Sequence, residues 1–130
     1  MGIAVKDIAK EAEIYCGLMG FEAETEILRE PPQNVDVQFF VLNGFRIELI
    51  QAISEDSPIL GFIKRGGILN HICYESSDIE ATVKNLKKDK GLFQTVDIIK
   101  ASTLDDCYYS FFAKPNGEVL EIIFFDKKSL

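Results

Sequence analysis

The chain has 130 residues, 47% of them hydrophobic and 27% charged, with a formal net charge of −7. That mix can bury a core and stay in solution, which excludes a disordered or low-complexity chain. The acidic balance argues against DNA, RNA or an anionic membrane as the main partner, because phosphate recognition needs a basic face.

No apolar run approaches the roughly 20 residues needed to cross a bilayer. Lys6 and Asp7 interrupt the short apolar stretch at the start, so no signal peptide is expected. The three cysteines, Cys16, Cys73 and Cys107, have no close spacing. They make no disulfide framework, and a reducing cytoplasm is the simpler setting. A single histidine rules out a multi-histidine zinc site within one chain.

A β-type run over residues 2–5 opens the chain. Asp7 suits the N-cap of a helix, on one face of which Ile8, Ala12 and Tyr15 fall. Gly20 is placed to end that helix. Three β-type runs follow, over 22–29, 35–42 and 45–52. Asn43-Gly44 separates the last two and predicts a tight hairpin. Residues 54–67 read as a connector, with Gly66-Gly67 a flexible exit from it. The pattern then starts again. A strand over 71–74 leads to Asp78 as a cap, and Ile79, Val83 and Leu86 share a helix face that Gly91 ends. Three further β-type runs cover 93–100, 107–113 and 119–125, with Asn116-Gly117 before the last.

The second series copies the first. Asp7-Ile8 matches Asp78-Ile79, and Gly20-Phe21 matches Gly91-Leu92 at the same offset. NGFRIELI from Asn43 lines up with NGEVLEII from Asn116, and Phe39 is then equivalent to Phe112. The expected fold is therefore α+β. Two βαβββ modules, 1–53 and 68–130, are joined by the connector 54–67 in one domain. One copy could barely bury its own sheet face, whereas two copies can curve a mixed sheet into a barrel-like cup around a shared cavity.

The repeat also selects candidate site residues. Glu48 and Glu121 occupy the same place in the last strand of each copy, each carboxylate between apolar neighbours. His71 lies in the first strand of the second copy, and its counterpart falls one residue before Met1. A symmetric site would use two first-strand residues and two last-strand glutamates, of which this sequence supplies three. Either the fourth is encoded upstream of Met1, or full coordination has been lost. Two carboxylates and an imidazole suit a divalent first-row metal with positions open for substrate. The plainer reading is a satisfied core histidine and solvated edge glutamates; their matched places in the repeat favour a shared role.

With these residues in hand, the chain resembles the vicinal oxygen chelate superfamily of glyoxalases, bleomycin-resistance proteins and dioxygenases, and within it the methylmalonyl-CoA epimerase group. GIAVKDI from Gly2, IELIQAISEDSPILGFI from Ile47, NHICYESSDIEATVKNLK from Asn70 and PNGEVLEI from Pro115 carry the likeness. The resemblance implies a glyoxalase-like fold, with Glu48, His71 and Glu121 as ligands of Co, Mn, Ni, Zn or Fe. It further implies metal-assisted removal of a proton next to a carbonyl, with Glu121 and Glu48 as the bases to test. The substrate would be a small molecule such as an acyl-CoA thioester, and the assembly a homodimer. A metal-free binding protein of the bleomycin-resistance type, using Phe39, Phe40, Phe111 and Phe112, is the alternative, as is an enzyme like lactoylglutathione lyase.

Other features read more plainly. Cys73 lies two residues after His71 and so faces the same way on a strand; a small buried apolar residue explains it equally well. One ring of Tyr108-Tyr109 facing the core would account for that pair. The lysines between 84 and 90 suit a solvated helix face.

Overall fold

The computed structural model describes residues 1–126, so residues 127–130 of the expected second module lie outside the described residues. The chain forms two compact units, Met1–Asn70 and His71–Leu130. The first contains β1 (Gly2–Ala4), α1 (Ile8–Gly17), β2 (Glu22–Ala23), β3 (Leu28–Glu30), β4 (Val35–Leu42), β5 (Phe45–Ala52) and α2 (Pro58–Lys64). In this unit β5 runs parallel to β1 and antiparallel to β4, while β2 and β3 both pair antiparallel with β4.

Local chemistry explains these elements. Asp7 sits extended at φ −151° and its carboxylate accepts the Lys10 N–H at 3.2 Å, filling a donor that a helix start leaves open. Gln51 on β5 accepts the Ile8 N–H at 2.8 Å, tying α1 to the sheet. Helix α1 stops at Gly17. Gly20 then adopts φ +84°, which lets the Phe21 N–H reach the Tyr15 carbonyl at 2.9 Å.

The single strand expected over 22–29 is instead two short ones. Between them the Thr25 hydroxyl accepts the Phe39 N–H at 3.2 Å, replacing a ladder bond with a side-chain bond. The connector is more ordered than its composition implied. Pro58 stands in the first turn of α2, where its fixed φ suits a helix start.

Period-two alternation sorts β4 and β5 into faces. Phe40, Ile47 and Leu49 join Val5, Ile8 and Phe21 in a buried cluster under α1, with Ala12 and Tyr15 packed against it. Phe39 and Glu48 are register partners and lie on the opposite face.

The second unit repeats the plan with β6 (Leu69–Glu75), whose first two residues still belong to the first unit, then α3 (Ile79–Leu86), β7 (Phe93–Lys100), β8 (Cys107–Ala113) and β9 (Val119–Phe125). Here β9 runs parallel to β6 and antiparallel to β8, and β7 pairs with β8 through two register irregularities. Asp78 caps α3 by accepting the Ala81 N–H at 3.0 Å, as Asp7 caps α1. Ile79 and Val83 bury against Phe112, Leu120 and Ile122, with Leu86 alongside. The α+β class and the twofold strand–helix–strands plan are as expected.

Two expectations from the repeat are corrected. Gly91 does not cap α3 in a left-handed conformation. The helix ends at Leu86, and a run of turns follows in which the Gly91 N–H donates to the Asp89 carboxylate at 2.7 Å. The aromatic equivalence also shifts by one residue. Phe39 faces Glu48 in register, and the residue that faces Glu121 is Phe111, not Phe112.

The two Asn-Gly turns explain the slip. Leu42 pairs with Phe45, so Asn43-Gly44 is a two-residue loop, with both residues at positive φ (50° and 79°). That is the type I′ turn that matches strand twist. In the second hairpin the Lys114 N–H donates to the Glu118 carbonyl, so residues 115–117 form a three-residue loop with only Gly117 at positive φ. The extra residue moves β8 by one against β9. Phe40 and Phe112 are the true counterparts, 1% and 0% exposed within the two helix-covered cores.

Candidate functional site

Strand register assembles the site in the second unit. Cys73 on β6 pairs with Glu121 on the parallel strand β9, and Phe111 on β8 pairs with Glu121 from the other side. Paired residues share a face, and residues two apart on one strand do as well. His71, Cys73, Glu121, Phe111 and Tyr109 therefore lie on the face turned away from α3. The helix-covered face carries Phe112, Leu120 and Ile122. A polar group on the face away from α3 is set by the pleat, and no exposed loop is needed to deliver it.

His71 Nε2 and Glu121 Oε2 are 3.0 Å apart, with the side chains 4% and 14% exposed. A carboxylate oxygen accepts and does not donate, so with Glu121 ionised the Nε2 carries the proton. A pair held in such enclosed surroundings has stronger electrostatics than one in water. It offers a base and a hydrogen-bond donor on one surface, the combination that proton abstraction uses.

One ring packs on the imidazole, and a second ring packs on the first. Phe111 meets the imidazole edge to face, with centroids 5.2 Å apart and planes at 84°. Tyr109 meets Phe111 at 5.6 Å and 74°. Sequence reasoning did not select Phe111 as a neighbour of His71, because that contact depends on the loop length described above. Tyr108 packs instead against the α3 cluster, so the two tyrosines divide between the faces. Cys73 faces the same way as His71, as its spacing implied, and is half-buried.

Glu48 occupies the equivalent position in the first unit. It pairs with Phe39 on β4 and with Gly2 on β1, as Glu121 pairs with Phe111 and Cys73. The backbone register thus reproduces the relation between Glu48 and Glu121 read from the repeat. Arg46 lies over the Phe39 ring at 5.7 Å while its Nε donates to Glu24 at 2.7 Å.

Imidazole nitrogen and carboxylate oxygen are suitable donors for a first-row divalent ion. His71 and Glu121 are two such donors, one fewer than a catalytic ion takes from protein. Among the described residues no group of three or more His, Cys, Asp and Glu side chains is gathered to hold a metal ion. Of the metal set expected from sequence, His71 and Glu121 are in contact within the second unit, and Glu48 belongs to the first. The aromatic set expected for a binding cup is reduced as well, since Phe40 and Phe112 are committed to the cores. Among the described residues no helix is long and apolar enough to cross a membrane.

Comparison with known proteins points to one group. The family described as the glyoxalase/bleomycin resistance protein/dioxygenase superfamily matches residues 1–119. Human mitochondrial methylmalonyl-CoA epimerase is 37% identical over 92 residues, 69% of this chain and 52% of that protein. The ethylmalonyl-CoA/methylmalonyl-CoA epimerase of Cereibacter sphaeroides is 38% identical over 90 residues, 68% of this chain and 66% of that protein. The chain spans about half the length of the mammalian relatives it matches. Among solved structures, a methylmalonyl-CoA epimerase in complex with methylmalonyl-CoA and ammonium superposes with a TM-score of 0.83. It covers 97% of this chain and 92% of its own; at 21% identity the likeness is one of fold. A hypothetical protein from Bacillus halodurans gives a TM-score of 0.84 at 25% identity, covering 98% of this chain and 92% of its own.

Proposed function

Because the chain belongs to the glyoxalase/bleomycin resistance protein/dioxygenase superfamily, we propose that it is an epimerase of a 2-substituted malonyl-CoA thioester, acting by proton removal next to the thioester carbonyl. The observation that carries this reading is the enclosed His71 Nε2–Glu121 Oε2 contact at 3.0 Å on the face of the second sheet away from α3. The epimerase relatives supply the substrate class.

In the proposed step Glu121 takes the α-proton and becomes a carboxylic acid. The C–H electron pair moves into the carbonyl to form an enolate. His71 orients Glu121 as the base through its N–H. Return of a proton to the opposite face inverts the centre. Glu48 is the residue we assign to that step, because it holds the same strand position in the other repeat and the two faces of a planar enolate call for two acids. The reverse reaction exchanges the two roles.

A divalent ion such as Co or Mn would be held by His71, Glu121 and Glu48, with the Nε2 proton displaced so that the ring nitrogen could ligate it. Such an ion supplies Lewis-acid stabilisation of a developing oxyanion. The observed pair does not by itself complete its coordination, and no step above depends on it. We also propose a homodimer, formed through the exposed edges that single sheets present, in a reducing cytoplasm that suits the free cysteines.

The test uses protein free of tag histidines and follows epimerisation of methylmalonyl-CoA. Glu121→Gln and His71→Ala are each expected to lower turnover by about 10²–10⁴-fold, the usual contribution of a positioned acid or base. Full turnover in both variants removes the site assignment. Added Co or Mn is expected to bind the parent chain and not His71→Ala; equal uptake by both removes the ligand role.

A further inference from the structure

An asparagine followed by glycine loses its side-chain amide more readily than any other, because the next main-chain nitrogen can attack Cγ and glycine has no side chain to hinder the approach. The sequence holds this dipeptide twice, at Asn43-Gly44 and Asn116-Gly117, and all four residues are exposed in hairpin loops. Dipeptide identity and exposure are therefore matched, and hydrogen bonding is what separates the two loops. We infer that Asn43 is a site of spontaneous conversion to aspartate and isoaspartate, and that the loop around Asn116 protects its own copy of the same dipeptide.

In the second loop both reacting groups are tied. The Gly117 N–H donates to the Lys114 carbonyl at 3.0 Å. The Glu118 N–H donates to Asn116 Oδ1, also at 3.0 Å. The loop is closed by the Lys114 N–H on the Glu118 carbonyl at 2.9 Å and by Lys114 Nζ on the Glu118 carboxylate at 2.9 Å. For Gly117 to attack, its proton must leave and Asn116 Cγ must turn toward it, so the first two bonds must both break. In the first loop the pairing of Leu42 with Phe45 closes the turn. Among the described residues, neither the Asn43 side chain nor the Gly44 N–H has a hydrogen bond to give up.

The reaction needs only water. Hydroxide takes the Gly44 N–H proton, and the nitrogen forms a bond to Asn43 Cγ. The Cγ–Nδ2 bond breaks, and water returns a proton to the departing nitrogen, which leaves as ammonia. The cyclic imide then adds one water at either carbonyl. Opening at one carbonyl gives aspartate. Opening at the other gives isoaspartate, which puts an extra carbon into the main chain. That carbon falls in the two-residue loop whose length sets the pairing of Phe39 with Glu48. Both products add a negative charge to an acidic chain.

The test holds the full chain at mildly alkaline pH, folded and in concentrated urea, and follows peptides spanning each loop by mass spectrometry. The Asn43-to-Asn116 rate ratio in the folded chain, divided by the same ratio in urea, isolates what the loops contribute. That quotient should be about ten, since each of the two bonds to be broken changes local opening by roughly two- to tenfold. Amide hydrogen exchange gives a second readout that needs no conversion: the Gly117 N–H should be protected severalfold more than the Gly44 N–H. A quotient of one or less overturns the inference. So does equal protection of the two glycine amides, or an Asn43 that stays intact in the folded chain while it converts in urea. No outcome involves substrate or metal, so the inference stands or falls apart from the epimerase reading.

Discussion

Glu121 and His71 are both largely enclosed, at 14% and 4% exposed, and each satisfies the other at 3.0 Å. Removing one partner of such a pair leaves the other's polar atoms short of a bond in a site that water reaches poorly. The cost of that is about 1–3 kcal/mol. His71→Ala is therefore expected to lose about that much stability in urea denaturation, in addition to its loss of turnover. Glu121→Gln keeps the shape and an acceptor oxygen, so it should unfold near the parent midpoint while losing activity. That contrast separates a catalytic carboxylate from a merely structural one. The pair was legible in the sequence because the repeat singled out the only histidine and two glutamates in matching contexts. Its aromatic neighbour was not legible. Phe111 and Phe112 are identical in type and adjacent, and the choice between them rests on one extra loop residue.

The two Asn-Gly turns show how an element can be predicted correctly and its register missed. Both dipeptides signal a hairpin, and both hairpins form. Only the first is the two-residue kind, with Asn43 and Gly44 both left-handed. Gly44 has open space where a Cβ would go, yet φ is +79°. Gly44→Ala should therefore cost about 1–2 kcal/mol through backbone strain alone, read as a lower midpoint in thermal unfolding with the site geometry retained. The helices were legible from Asp7 and Asp78, whose carboxylates cap as their residue type predicts. The end of α3 was not, since the helix stops five residues before Gly91, whose N–H donates to the Asp89 carboxylate in the turn. Helix α2 was hidden because seven residues starting at a proline read equally well as a connector.

Across the whole chain, one plan used twice decides which residues can act. In both repeats α1 or α3 covers one face of its sheet. The other face carries the last-strand glutamate with a phenylalanine beside it in register, Phe39 with Glu48 and Phe111 with Glu121. Their neighbours Phe40 and Phe112 go to the cores. Phe112→Ala is expected to cost about 3–5 kcal/mol, as for a fully buried ring, and to unfold the second unit before any effect on chemistry is seen. The sequence could reveal this division only as a period-two pattern. Deciding which phase of that pattern faced the helix required the register.

The proposal that Glu121 removes an α-proton is tested most directly by isotope exchange. Tag-free protein is incubated with methylmalonyl-CoA in D₂O, and deuterium at the carbon between the two carbonyl groups is followed by mass spectrometry. The parent chain should incorporate deuterium well above the uncatalysed rate, and Glu121→Gln should fall to near that rate. Incorporation at the parent rate by a folded Glu121→Gln chain would contradict the assignment of this carboxylate as the base.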